Sequence, residues 1–154
     1  MNITFRHNDH PSAYQSFEEI PAEMRLESYE SRFENKDVLE EYISSQYYEG
    51  DYHDDHIKQI ERTMASWKDN CDEMGSHPAL VSPDVVKVWC EILLERRRIT
   101  TLRSNYIGPI NAFYRYLMWH VDFPHTYNPV QFAVREYSTV RKVWAAGPNG
   151  DSDD

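Results

Sequence analysis

IKQIERTMASWKDNCDEM, residues 57–74, is the stretch on which the fold turns. Its apolar positions Ile57, Ile60, Met64, Trp67, Cys71 and Met74 advance in alternating steps of three and four. An α-helix rotates about 100° per residue, so these six side chains form a single stripe and the charged and amide residues between them fall on the other faces. Asp54 and Asp55 precede the stripe, where the positive end of a helix dipole favours acids. Gly75 followed by His77-Pro78 stops it.

Working outward, the same period recurs on both sides. Upstream, from Glu34, Val38, Leu39, Tyr42, Ile43 and Tyr47 predict a first helix ending at Glu49-Gly50-Asp51. Downstream, Ser82-Pro83-Asp84 is a helix start: a hydroxyl cap, a proline tolerated at the first position and an acid at the dipole's positive end. Val85, Val88, Trp89, Ile92 and Leu93 line one face of this third helix, and Arg96-Arg97-Arg98 closes it with cations at the negative end. Thr100 or Thr101 then caps a fourth helix with a stripe of Leu102, Tyr106, Ile110, Phe113 and Leu117, joined by Tyr114, Met118 and Val121. Pro109 lies inside it and predicts one bent helix, because proline removes a backbone donor and crowds the preceding turn. Asn128-Pro129 opens a fifth helix through Val130, Ala133, Val134 and Tyr137, ending near Trp144. Trp67 and Trp89 lie on stripes and are expected in the core; Trp119 and Trp144 are open between packing and stacking on bases.

The expected architecture is all-α, a compact bundle of four to five helices over residues 34–144. Residues 1–33 are polar and acidic with scattered aromatics (Phe5, Tyr14, Phe17, Tyr29) and no persistent stripe. They read as a flexible acidic arm with at most a helical turn around 17–29. Residues 145–154 read as a disordered acidic tail. A chain of 154 residues with 40% hydrophobic and 14% aromatic content suits one domain plus tails. No stretch has the apolar length of a signal peptide or membrane span, and two cysteines are too few for a secreted disulfide scaffold. The expectation is a soluble, cytoplasmic protein.

The net charge of −10 argues against a polyanionic partner, but the charge is segregated. Residues 1–81 carry 18 acids and 7 bases, residues 82–146 carry 5 acids and 9 bases, and residues 147–154 add three aspartates. Such asymmetry fits a segregated binding face, or an ordinary fluctuation along a chain. Arginine outnumbers lysine 11 to 5 among abundant acids, a balance found in proteins of salt-loving hosts. Unfolding in low-salt buffer is the corresponding expectation.

Few residues invite chemistry. His53, Asp54, Asp55 and His56 suggest metal, with Cys71, His77 and Cys90 extending the set. Zinc sites need four converging ligands, usually in tight pairs. Within that set His53 and His56 make the only such pair, and both cysteines fall on apolar stripes, so no metal is expected. No glycine-rich phosphate loop and no nucleophile–base constellation occurs, and no cofactor is implied.

The concatenation LEEYISS (39–45), IERTMASW (60–67), VSPDVVKVWCEILLERR (81–97), ITTLRSNYIGPINAFYRYLMW (99–119) and YNPV (127–130) resembles the SAM-like core-binding domain of tyrosine recombinases, the phage-type integrases and their archaeal relatives. Thr101, Tyr106, Phe113-Tyr114, Leu117 and Asn128-Pro129 carry most of the likeness; Pro109 departs from it. The resemblance implies double-stranded DNA as a partner in integration or recombination, alongside a recombinase catalytic domain or other recombinase subunits. No membrane or small-molecule substrate is implied.

It assigns the DNA-facing role to Lys58, Gln59 and Arg62 on the second helix and to Thr100, Thr101, Arg103, Ser104 and Arg115 on the fourth. Arg96, Arg97 and Arg98 stand just before the fourth helix. Independently, a helix N-terminus with hydroxyls and arginines is an anion site. Catalysis in the family needs a second domain with a nucleophilic tyrosine and a phosphate clamp. Too little sequence follows Pro129 to hold one, and Tyr137 with Arg135 and Arg141 matches no family spacing, so a non-catalytic role is expected. The alternative is a helical protein–protein interaction module that regulates a recombinase or another DNA-associated partner.

Overall fold

Trp67 has no exposed surface, and the bundle is organised around it. The computed structural model describes residues 16–120, 125 and 127–146. Its helices are α1 (Glu30–Phe33), α2 (Val38–Ile43), α3 (Asp54–Glu73), α4 (Pro83–Leu94), α5 (Ile99–Leu102), α6 (Gly108–Trp119), α7 (Pro129–Glu136) and α8 (Ser138–Ala145). Two π-helical turns, Ser44–Tyr48 and Arg103–Ile107, extend α2 and join α5 to α6. Among the described residues there is no strand, and none of the helices is long and apolar enough to cross a membrane.

The stripe on α3 packs as its spacing predicts: Ile60, Met64, Trp67 and Cys71 are buried. Trp67 meets Trp89 of α4 edge-on at 4.8 Å. Its indole N–H donates to the Tyr114 hydroxyl at 3.0 Å, which donates to the Pro78 carbonyl at 2.6 Å. A buried indole and phenol therefore satisfy each other, and α3, α4 and α6 are locked into one core. The same burial pushes the Cys90 thiol up to about 12 and the Cys71 thiol higher still, which keeps both protonated. Asn128 caps α7 by accepting from the Val130 and Gln131 amides at 2.9 and 3.4 Å.

Several expectations are corrected. The helix after the triple arginine starts at Ile99 with Arg98 as its cap residue, so Thr100 and Thr101 lie within the first turn instead of capping it. The bend predicted from Pro109 takes the form of a π-helical turn: the Gly108 amide reaches back five residues to the Arg103 carbonyl. A Cβ at Gly108 would lie 3.0 Å from that carbonyl oxygen, which favours glycine there. The fifth helix is two helices, broken where Tyr137 turns extended (φ −124°, ψ 123°). Ile92, expected on the buried face, is 47% exposed.

The acidic arm is corrected in part. From Ser16 onward it packs as a strap of short 3₁₀ turns leading into α1. Ile20 and Leu26 are buried with Tyr127 and Phe132 in a second small core, and Phe33 joins the main one. Burying each such side chain contributes about 1.5–3 kcal/mol, enough to hold a strap that lacks helical period. The Phe17 amide donates to the Glu136 carboxylate at 3.0 Å, tying the strap to the end of α7. Phe5, Tyr14, Val121 and residues 147–154 lie outside the described residues.

Candidate nucleic-acid interface

Where α3 runs beside the end of α4, a groove of about 480 Å³ opens. Gln59, Arg62 and Ser66 form one wall, Ile92, Leu93, Arg96 and Arg97 the other, and Tyr106 of the π-helical turn the floor. Among the described residues three arginines line it and no carboxylate does. Arg62 and Arg96 are separated by 34 residues, so the assembly follows from packing α4 against α3 through Trp89. The Trp89 indole N–H donates to the Ser66 hydroxyl at 3.0 Å and sets the spacing of the walls.

The charged groups are held in different ways. The Arg97 guanidinium stacks over the Tyr106 ring at 5.3 Å from the centroid. The turn after α4 orders the backbone, with the Arg96 and Arg97 amides both bonded to the Leu93 carbonyl. Arg62 donates from Nη2 to Gln59 Oε1 at 3.0 Å; Gln59 Nε2 donates to Thr63 Oγ1 at 3.2 Å, and Thr63 Oγ1 donates to the Asn105 carbonyl at 2.6 Å. Among the described residues no carboxylate pairs with Arg62, Arg96, Arg97 or Arg98.

Of the residues singled out in the sequence, Gln59, Arg62, Arg96 and Arg97 therefore converge. Lys58 is exposed on α3 one turn before Arg62, and Arg98 is exposed beyond Arg97. Thr100 and Thr101 are half-buried in the first turn of α5, and Ser104 donates back to the Thr100 carbonyl at 2.9 Å. Arg103 turns towards the C-terminal helix: its Nε donates to the Trp144 carbonyl at 3.1 Å and its guanidinium lies 4.1 Å from the Trp144 ring centroid. That contact also settles Trp144 as a packing residue. Arg115 acts on the Tyr42 cluster beside α2, outside the groove lining. Trp119 is 61% exposed. Tyr137 is half-buried beneath the Lys87 ammonium, 5.2 Å from its centroid.

Sequence reasoning missed Ser66, Ile92, Leu93 and Tyr106 as lining residues, since three carry stripe spacing and the fourth is a lone serine. It also missed Thr63 as a support. Across α3 lies a smaller recess of about 270 Å³ with the opposite character, lined by Asp37, Glu40, Glu61, Lys68, Tyr48 and apolar residues of α2 and α3. The Tyr48 hydroxyl donates to Glu61, which raises that phenol to about 12. Among the described residues no group of three metal-ligating side chains converges. No protein-family model, curated protein or solved structure matches this chain.

Proposed function

We propose that this protein binds double-stranded DNA through the groove between α3 and α4, as a non-catalytic module in DNA integration or recombination. The observation that carries the reading is the convergence of Arg62, Arg96 and Arg97 on a recess with no carboxylate in its lining, in a chain of net charge −10. An acidic protein has few bases to place, and three guanidiniums facing one recess with no carboxylate partner among the described residues suit a ligand that brings its own negative charge. A phosphodiester backbone does so at regular spacing. Ser66, whose hydroxyl accepts from Trp89 and keeps its own proton, adds a neutral donor of the kind that phosphate and sugar oxygens accept. The likeness of the Thr101–Pro129 segment to recombinase core-binding domains supports duplex DNA over other polyanions and a recombinase as companion.

The test is fluorescence anisotropy with a labelled duplex across a salt series. Binding that weakens linearly in log–log form as salt rises supports the reading; a folded protein that binds no duplex at low salt rejects it.

The second reading is a helical protein–protein interaction module. The exposed Trp119 at the end of α6 favours it, since an aromatic of that size at a surface is typical of interface anchors. Partners recovered after nuclease treatment, and lost on Trp119→Ala, are its expected signature.

A further inference from the structure

Resting on the DNA reading of the groove, we infer that Gln59 and Thr63 are positioning residues that hold Arg62 against a backbone phosphate, and that the Asn105 carbonyl, to which Pro109 can give no i+4 bond, is the anchor of this device. Pro109 has no N–H, so it cannot give the Asn105 carbonyl the bond that a residue four positions on ordinarily gives. That carbonyl instead accepts from the buried Thr63 hydroxyl at 2.6 Å, across 42 residues of sequence.

Donor and acceptor chemistry then dictates every later link. A carbonyl only accepts, so the single Thr63 proton is committed to it. Thr63 Oγ1 can therefore only accept from its other neighbour, and the Gln59 amide must present its NH₂ there, at 3.2 Å. Gln59 Oε1 is turned the other way, towards Arg62, whose guanidinium only donates, at 3.0 Å. The chain has one polarity from end to end and reverses nowhere.

One N–H of Arg62 is used in this way, and the rest of its five-donor fork stays available on the groove side. The π-helical turn belongs to the same device. It carries Asn105 and also Tyr106, the ring beneath Arg97, so one irregular turn orders guanidiniums on both walls. Holding a long side chain in place before binding removes part of the ordering cost that a free arginine bears on capture of phosphate. The ligand class is a phosphodiester bound by its charge and shape, so discrimination among base sequences is not expected from this groove.

A double-mutant cycle on duplex binding tests this. Arg62→Gln weakens binding about tenfold at low salt and lowers the salt slope by about one. Gln59→Leu, at a half-exposed surface position, weakens it about threefold to tenfold in the wild-type background. In the Arg62→Gln background Gln59→Leu has no further effect, because its role runs through Arg62. Thr63→Ser keeps the hydroxyl and retains affinity, whereas Thr63→Val behaves like Gln59→Leu; circular dichroism and thermal melts confirm that each variant is folded. Additive losses in the cycle, or a Gln59→Leu protein that binds as the wild type does, overturn the positioning role while leaving the DNA reading intact. A folded wild-type protein that binds no duplex overturns both.

Discussion

The two sides of α3 differ in sign. Glu61, Ala65 and Lys68 face α2 and line an acidic recess, while Gln59, Arg62 and Ser66 face the end of α4 and line a basic groove. On a helical wheel each trio spans about 60°, and their centres lie about 120° apart, so the same stretch of one helix serves both surfaces. Each side then recruits charge of its own sign from a neighbour: Asp37 and Glu40 on the first, Arg96 and Arg97 on the second. The lesson is that a net charge of −10 describes neither surface. What matters for a polyanion is which charges the packing brings together, and within a Debye length of about 10 Å at 0.1 M salt the groove presents arginine.

The contrast between the two sides can be broken most severely at their shared support. Trp67→Ala removes the indole that touches both α4 and α6 and takes away the donor that the buried Tyr114 hydroxyl accepts from. A loss of about 3–5 kcal/mol in denaturant unfolding is expected, with both surfaces lost together. Next in size is the effect confined to one side. Replacing Arg62, Arg96 and Arg97 together by glutamine should cut duplex affinity about a hundredfold or more with the fold retained. Glu40→Gln with Glu61→Gln on the opposite side should leave it within about threefold. Anisotropy measurements that find equal effects from the two sets of variants would remove the distinction drawn between the surfaces.

Acid provides a further separation, since it loosens the fold at a residue that lines neither surface. His125 is buried against Phe33 with Nε2 on the Ala79 carbonyl at 2.8 Å, and burial lowers its pKa to about 4. The folded state therefore binds this proton less readily than the unfolded state, whose histidine titrates near 6.5. The stabilisation from keeping His125 neutral is present above about pH 6.5. It falls as the pH drops towards 4, by an order of ~3 kcal/mol, and is constant below that. Chemical denaturation at pH 7 and pH 4.5 should show this fall, and His125→Gln should flatten it. The smallest effect is expected on the acidic side. Lys68→Ala breaks an exposed 3.7 Å pair with Asp37 and should change stability by less than about 0.5 kcal/mol in the same assay.

Much of this was legible in the chain because it depends on period and local chemistry. The stripe from Ile57 to Met74 could only be buried as a helix, and Asn128-Pro129 starts α7 through a cap that needs nothing distant. What was not legible depends on contacts distant in sequence. The strap after Ser16 lacks helical period because it is built of 3₁₀ turns, and only the later positions of Tyr127 and Phe132 reveal where Ile20 and Leu26 go. Tyr137 carries no breaker signal, yet α7 ends there and α8 begins. Arg103 looked like a member of the basic cluster, but a partner 41 residues away, Trp144, draws it aside. Within the candidate site, Arg62 and Arg96 were each visible as cations off the apolar stripes. Their convergence was not, since it follows from the way Trp67 meets Trp89.

The salt dependence of duplex binding by the wild-type protein and by the Arg62→Gln/Arg96→Gln/Arg97→Gln variant is the most direct test of the central claim. If the groove neutralises three phosphates, the log–log slope of the wild type is steeper than that of the variant by about 2.7. Equal slopes, or no binding by the folded wild-type protein in low salt, would contradict it.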